Sequence, residues 1–127
     1  MYLIDTDILI WALRGNKAYI DLLQKLKDES ALSISSVTVG EIYKNIFPAG
    51  IVKTENLLNE FQIWDVTVSI AKQAGLYWQQ YSRTVKNLSL LDCMIAATVH
   101  THDLTLISLN LKHYPMKDID IYKLKTR

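Results

Sequence analysis

Short apolar runs alternate with longer amphipathic stretches along this chain, and no Asn-Gly or Asp-Gly hairpin signal joins one run to the next. That alternation implies parallel pairing. Parallel strands need a crossover between them, and a crossover helix must bury its own apolar stripe on the sheet. Strands are read at residues 2–5, 31–35, 63–66, 104–108 and 119–122. Between them lie a short helix over 7–13 that ends near Gly15, and a stretch in which Ile20, Leu22, Leu23 and Leu26 recur at helical spacing while Lys25, Lys27, Asp28 and Glu29 face solvent. Ser35 and Ser36 offer N-caps for a helix running to about Phe47, where Pro48 stops it. Further helices are read over 56–61, 69–83 and 89–101. The expected fold is α/β, a three-layer α/β/α sandwich with a central parallel sheet. At 127 residues the chain supports one core, so 1–127 reads as a single domain.

Apolar residues make up 50% and charged residues 21%, which suits a globular chain and argues against disorder. Lys and Arg number 14 against 13 acids, a net charge of +1. Such a balance does not announce nucleic-acid binding, and leaves it to local patches. The one cysteine, Cys93, rules out an intrachain disulfide and points to a reducing, cytoplasmic setting. Its apolar neighbours make it a small buried residue rather than a nucleophile. The N-terminus carries Asp5 and Asp7 with no basic lead-in, unlike a secretory signal. No apolar run approaches the roughly 20 residues that span a bilayer, so no membrane partner is expected.

Three acids stand out because each adjoins core-forming segments. Asp5 closes Tyr2-Leu3-Ile4-Asp5, Glu41 lies in Val37-Thr38-Val39-Gly40-Glu41-Ile42, and Asp92 lies in Leu90-Leu91-Asp92-Cys93-Met94-Ile95. Each has a local explanation. Asp5 suits an N-cap for the helix after it, and Thr38-x-x-Glu41 and Ser89-x-x-Asp92 both match the capping box. Together they suggest more. In open α/β sheets ligands bind outside the carboxyl ends of the strands, where the first two acids would fall. Two like charges 4 Å apart repel by about 4 kcal/mol at an effective dielectric near 20, whereas helix N-termini return about 0.3–1 kcal/mol each. Gathered carboxylates therefore take up protons or bind a cation, and a hard ion such as Mg²⁺ or Mn²⁺ prefers their oxygens.

Asp5-Thr6-Asp7 after an apolar strand is also compatible with the opening of haloacid-dehalogenase-type phosphatases, but Ile8 occupies the next place and the later acidic pair is missing. A response-regulator receiver would need a phosphoacceptor Asp near the middle, and residues 51–59 contain none. Four segments together resemble a different family. They are Tyr2-Leu3-Ile4-Asp5-Thr6-Asp7-Ile8-Leu9-Ile10, Ile34-Ser35-Ser36-Val37-Thr38-Val39-Gly40-Glu41-Ile42-Tyr43, Leu90-Leu91-Asp92-Cys93-Met94-Ile95-Ala96-Ala97-Thr98 and Leu104-Thr105-Leu106-Ile107-Ser108-Leu109-Asn110. In this order and at these intervals they resemble the PIN-domain ribonucleases, in particular the VapC-type toxins of prokaryotic toxin–antitoxin pairs. The chain departs from the family in three places. Ser108 stands where Thr is frequent, Asn110 where many members have Asp, and Asp103 where Gly is usual before the later strand. The amide at Asn110 puts a second metal position in doubt.

The resemblance implies metal-dependent hydrolysis of RNA phosphodiesters to products with 5′-phosphate and 3′-hydroxyl ends. Asp5 and Asp92 would bind Mg²⁺ (magnesium) directly, with Mn²⁺ as a substitute and Glu41 as a further ligand or acting through water. Thr6, Ser108 and Asn110 would orient the carboxylates and water. It also implies a homodimer and a small cognate antitoxin. Alternatives are a catalytically silent PIN-like RNA- or protein-binding module and a housekeeping RNA-processing nuclease. Arg14, Lys17, Lys44, Arg83, Lys86 and Lys112 are candidate phosphate contacts. His100 and His102 are two apart, wrong for one helix face, and His113 stands alone, so a histidine metal site is not expected. Trp11, Tyr77, Trp78 and Tyr81 read as core or interface rather than as a base-stacking platform.

Overall fold

The computed structural model describes residues 1–124. Five strands, β1 (Tyr2–Ile4), β2 (Leu32–Ser35), β3 (Gln62–Trp64), β4 (Thr105–Ile107) and β5 (Asp120–Ile121), form one sheet in the order β3-β2-β1-β4-β5. Every pairing is parallel, with Leu3 beside Ser33 on one side and Leu106 on the other. The helices are α1 (Thr6–Leu13), α2 (Lys17–Glu29), α3 (Ser36–Tyr43), α4 (Ile51–Leu58), α5 (Val68–Tyr81) and α6 (Leu90–Thr101). The chain builds β1, β2 and β3 outward in one direction, then returns through α5 and α6 to lay β4 on the other side of β1. That reversal places the switch point of the sheet between β1 and β4.

Strand alternation sorts the core into two layers. Leu3 and Leu106 point to one face, where they meet Ile70, Ala74 and Tyr77 of α5 and Cys93, Ala96, Ala97 and Val99 of α6. Ile4, Ile34 and Ile107 point to the other, against Ile8, Leu9 and Ala12 of α1, Leu23 and Leu26 of α2, and Leu58 of α4. The sandwich is therefore three-layered, as the alternation of elements requires. Ala96 and Ala97 are fully buried, and the small side chains bring α6 close to its neighbours. Cys93 is buried as well, and burial pushes its thiol up to about 11, the behaviour of an inert packing residue.

Three sequence expectations are corrected. The helix expected to reach about Phe47 ends at Tyr43, and the one expected over 56–61 runs instead over Ile51–Leu58. Pro48 shapes the approach to the second. It holds Phe47 extended (φ −93°, ψ 148°) and opens a 3₁₀ turn, Pro48–Gly50, that leads straight into α4. Ile20, expected on the buried stripe of α2, is 45% exposed. Asp103 has a left-handed backbone (φ 52°), which accounts for the preference for Gly at that place; Asp is among the residues that tolerate it. Among the described residues, no helix is long and apolar enough to cross a membrane.

Candidate active site

The switch point lies between β1 and β4; Asp5 directly follows β1, Ser108 directly follows β4, and Glu41 lies on the helix α3 that follows β2. Asp5 follows β1 and caps α1, its Oδ1 accepting the Thr6 N–H at 2.8 Å. Only 5% of it is exposed. Its Oδ2 accepts the Ser108 hydroxyl at 2.7 Å and the Tyr114 hydroxyl at 3.0 Å, both from the chain just after β4. Burial is the strongest influence on Asp5 and raises its carboxyl above the usual range; the bonds from Ser108, Thr6 and Tyr114 act in the opposite sense, and the charge of Asp7 adds to the rise.

Glu41 reaches the same place by a different route from the one its motif suggested. Thr38-x-x-Glu41 is not a capping box, because Ser35 caps α3 one turn earlier, its Oγ accepting the Val37 N–H at 3.1 Å. Thr38 is left fully buried, with its hydroxyl 3.0 Å from that of Thr6. The Thr6 hydroxyl in turn donates to Glu41 Oε1 at 2.7 Å. Thr6 thus touches one acid through its backbone and another through its side chain.

Asp92 does fulfil its local role. Ser89 Oγ accepts the Asp92 N–H at 3.0 Å, and Asp92 Oδ2 accepts the Ser89 N–H at 3.3 Å, a complete capping box at the start of α6. The same Oδ2 lies 3.2 Å from His113 Nδ1, so the histidine read as solitary has a partner. Capping and a place in the site are compatible, since each oxygen can serve a different purpose. Replacing Ser89 by Ala is expected to cost about 1 kcal/mol of stability, measured by urea unfolding, and to lower cleavage because Asp92 loses its anchor. An unchanged unfolding midpoint would show that the cap is energetically idle.

Asn110 donates its side-chain amide to Asp7 Oδ2 and its backbone N–H to Ser108 Oγ, the latter at 3.0 Å. The neutral amide therefore draws a further carboxylate to the rim. Sequence reasoning named the three acids, Thr6, Ser108 and Asn110, and missed Thr38, the Asp7–Asn110 tie, His113 and Tyr114. Tyr114 sits 109 positions from Asp5, and no local pattern encodes such a contact.

The Tyr114 hydroxyl, bonded to Asp5, feels the charge of all three acids. Burial first, then the negative charges of Asp5, Asp92 and Glu41, drive the Tyr114 hydroxyl far above the ordinary tyrosine range. Among the described residues, however, no three acidic, histidine or cysteine side chains are gathered tightly enough to form a ligand set as they stand. The donor set nevertheless fits a hard dication. Every candidate donor is an oxygen, and among the described residues Glu41 Oε2 and Asp92 Oδ1 accept no hydrogen bond while Asp5 Oδ1 accepts one.

Arg14, Lys17, Lys44, Arg83, Lys86 and Lys112 are all exposed. Lys44 caps the helix that carries Glu41, and Lys112 lies between Asn110 and His113. Of the aromatics, Tyr77 is core and donates to Asp118 Oδ1 at 2.9 Å, while Trp11 and Trp78 are 42% and 46% exposed.

An acid-bearing switch point on a β3-β2-β1-β4-β5 parallel sheet is where α/β proteins bind ligands, and comparison with known proteins is more specific. The PIN domain model matches residues 2–119, and the chain belongs to the PIN-domain family. It is 36% identical over 116 residues to Ribonuclease VapC10 of Mycobacterium tuberculosis, covering 91% of this chain and 87% of that protein. Ribonuclease VapC19 of the same organism is 29% identical over 118 residues, covering 91% and 94%. Among solved structures, a toxin–antitoxin complex from Klebsiella pneumoniae superimposes with a TM-score of 0.77 at 26% identity, covering 97% of each chain. VapBC2 from Rickettsia felis, bound to a DNA fragment from its promoter, superimposes with a TM-score of 0.81 at 18% identity, covering 98% of each chain.

Proposed function

We propose that this chain is a Mg²⁺-dependent endoribonuclease, the toxin of a type II toxin–antitoxin pair, with Asp5, Glu41 and Asp92 as metal ligands. The reading is supported by the hydrogen bonds that tie Asp5 to Glu41 through Thr6 and to the chain after β4 through Ser108 and Tyr114, with Asp92 beside His113 of that same segment. A bound dication would lower the pKa of water, offset charge on the phosphoryl group and align the attack. The protein's own contribution is positional. Thr6 holds Asp5 and Glu41 in register, Ser108 fixes Asp5, and Asn110 fixes Ser108 and Asp7. Lys44 and Lys112, exposed on segments that also carry site residues, are suited to RNA phosphates.

The relatives named as ribonucleases and the toxin–antitoxin structures support the assignment of substrate and of a small antitoxin partner. The exposed Trp11 and Trp78 suit a second copy of the chain or that partner. The unpaired buried Cys93 suits a cytoplasmic setting. In the decisive assay, purified protein cleaves RNA with Mg²⁺ or Mn²⁺, stops in EDTA, and resumes when the ion is restored. Cleavage that persists in EDTA overturns the metal requirement. Binding of RNA without cleavage under any of these conditions assigns the chain to the silent binding modules instead.

A further inference from the structure

One oxygen of the most buried acid has no acceptor position left. An ionised carboxylate offers about four such positions, two on each oxygen. Asp5 Oδ2 accepts from Ser108 Oγ at 2.7 Å and from Tyr114 at 3.0 Å, which fills both. Asp5 Oδ1 accepts the Thr6 N–H at 2.8 Å and, among the described residues, nothing else.

We propose that Tyr114 is a positioning residue that closes Asp5 Oδ2 together with Ser108, so that Asp5 presents a single oxygen to a dication and the site favours small octahedral ions over calcium. The proposal rests on the reading of Asp5 as a metal ligand. Mg²⁺ requires six ligands in near-ideal octahedral array, whereas Ca²⁺ takes six to eight and readily engages both oxygens of one carboxylate. Withholding the second oxygen therefore handicaps the larger ion and leaves the smaller one unaffected.

Tyr114 is built to hold that position. It is 3% exposed, and its ring is packed in the same core cluster as Leu88, Ala96 and Met116, so the hydroxyl is delivered with little freedom to turn away. The contact joins the chain after β4 to the end of β1, across the switch point itself.

Calorimetric titration of metal-stripped protein with Mn²⁺ and separately with Ca²⁺ tests this, alongside thermal melting in EDTA. Wild type is expected to bind Mn²⁺ more tightly than Ca²⁺. Tyr114→Phe, which deletes only the hydroxyl, is expected to narrow the ratio of the two dissociation constants by about tenfold while leaving cooperative melting intact. Ser108→Ala opens the other position on the same oxygen and is expected to act in the same direction; it decides the matter if Tyr114→Phe fails to melt cooperatively. A folded variant that binds Mn²⁺ with the wild-type ratio overturns the role of Tyr114. Wild type that binds neither ion overturns the underlying metal reading instead, a different result from the first.

Discussion

Asp5→Asn is expected to lower RNA cleavage by more than about a hundredfold and to change how stability depends on pH. The first half follows from the loss of the charge that a dication would meet at the centre of the site. The second follows from burial. Desolvation is the largest influence on Asp5, and its carboxyl is raised on balance despite three hydrogen bonds. An acid raised in the folded state holds its proton more tightly when folded than when unfolded. Its contribution to stability is complete below the unfolded value and is lost as pH climbs through the folded one. Asn keeps the shape at the cost of one acceptor, a cost that does not depend on pH, and carries no such pH-dependent loss. In EDTA buffer, the melting temperature of the variant should therefore gain on that of wild type as pH rises from about 4 to about 7. The opposite trend would show that the hydrogen bonds outweigh desolvation. An unaltered cleavage rate would falsify the catalytic role of Asp5.

Leu106→Ala is expected to cost about 2–5 kcal/mol, a large share of the 5–15 kcal/mol typical of a folded domain. Leu106 has no exposed surface and lies on the middle residue of β4, paired on one side with Leu3 of β1 and on the other with Ile121 of β5. Truncation leaves a void that strands paired on both sides have little room to fill. Because Ser108 follows two residues later and holds Asp5, cleavage is expected to fall as well. Urea unfolding should show a lower midpoint at unchanged slope. A loss below about 1 kcal/mol would mean that the layer collapses around the gap.

The architecture was legible because hydrophobic period is a local property. Short apolar runs such as Leu3-Ile4 and Leu106-Ile107, and helical spacing through Ile70, Ala74 and Tyr77, mark the strands and helix faces in the sequence itself. The boundary around Pro48 was not legible in full. Its effect as a breaker is local, but whether the chain restarts a helix at Ile51 or at Asn56 depends on where Thr54 and Leu58 find room in the core. The two capping-box motifs make the same point. Ser89-x-x-Asp92 forms the box, and Thr38-x-x-Glu41 does not, although the patterns are equivalent as text.

By itself the order of residues determined the kind of fold, its parallel sheet, and which acids lie next to the core. It could do so because periodicity, caps and breakers act over a few residues. Only the tertiary structure decided that Asp5 is clasped by Ser108 and Tyr114, that Thr6 links it to Glu41, and that His113 faces Asp92. Those partners are brought together by the reversal of strand order beside β1, and a contact made across more than a hundred residues leaves no periodic trace along the chain.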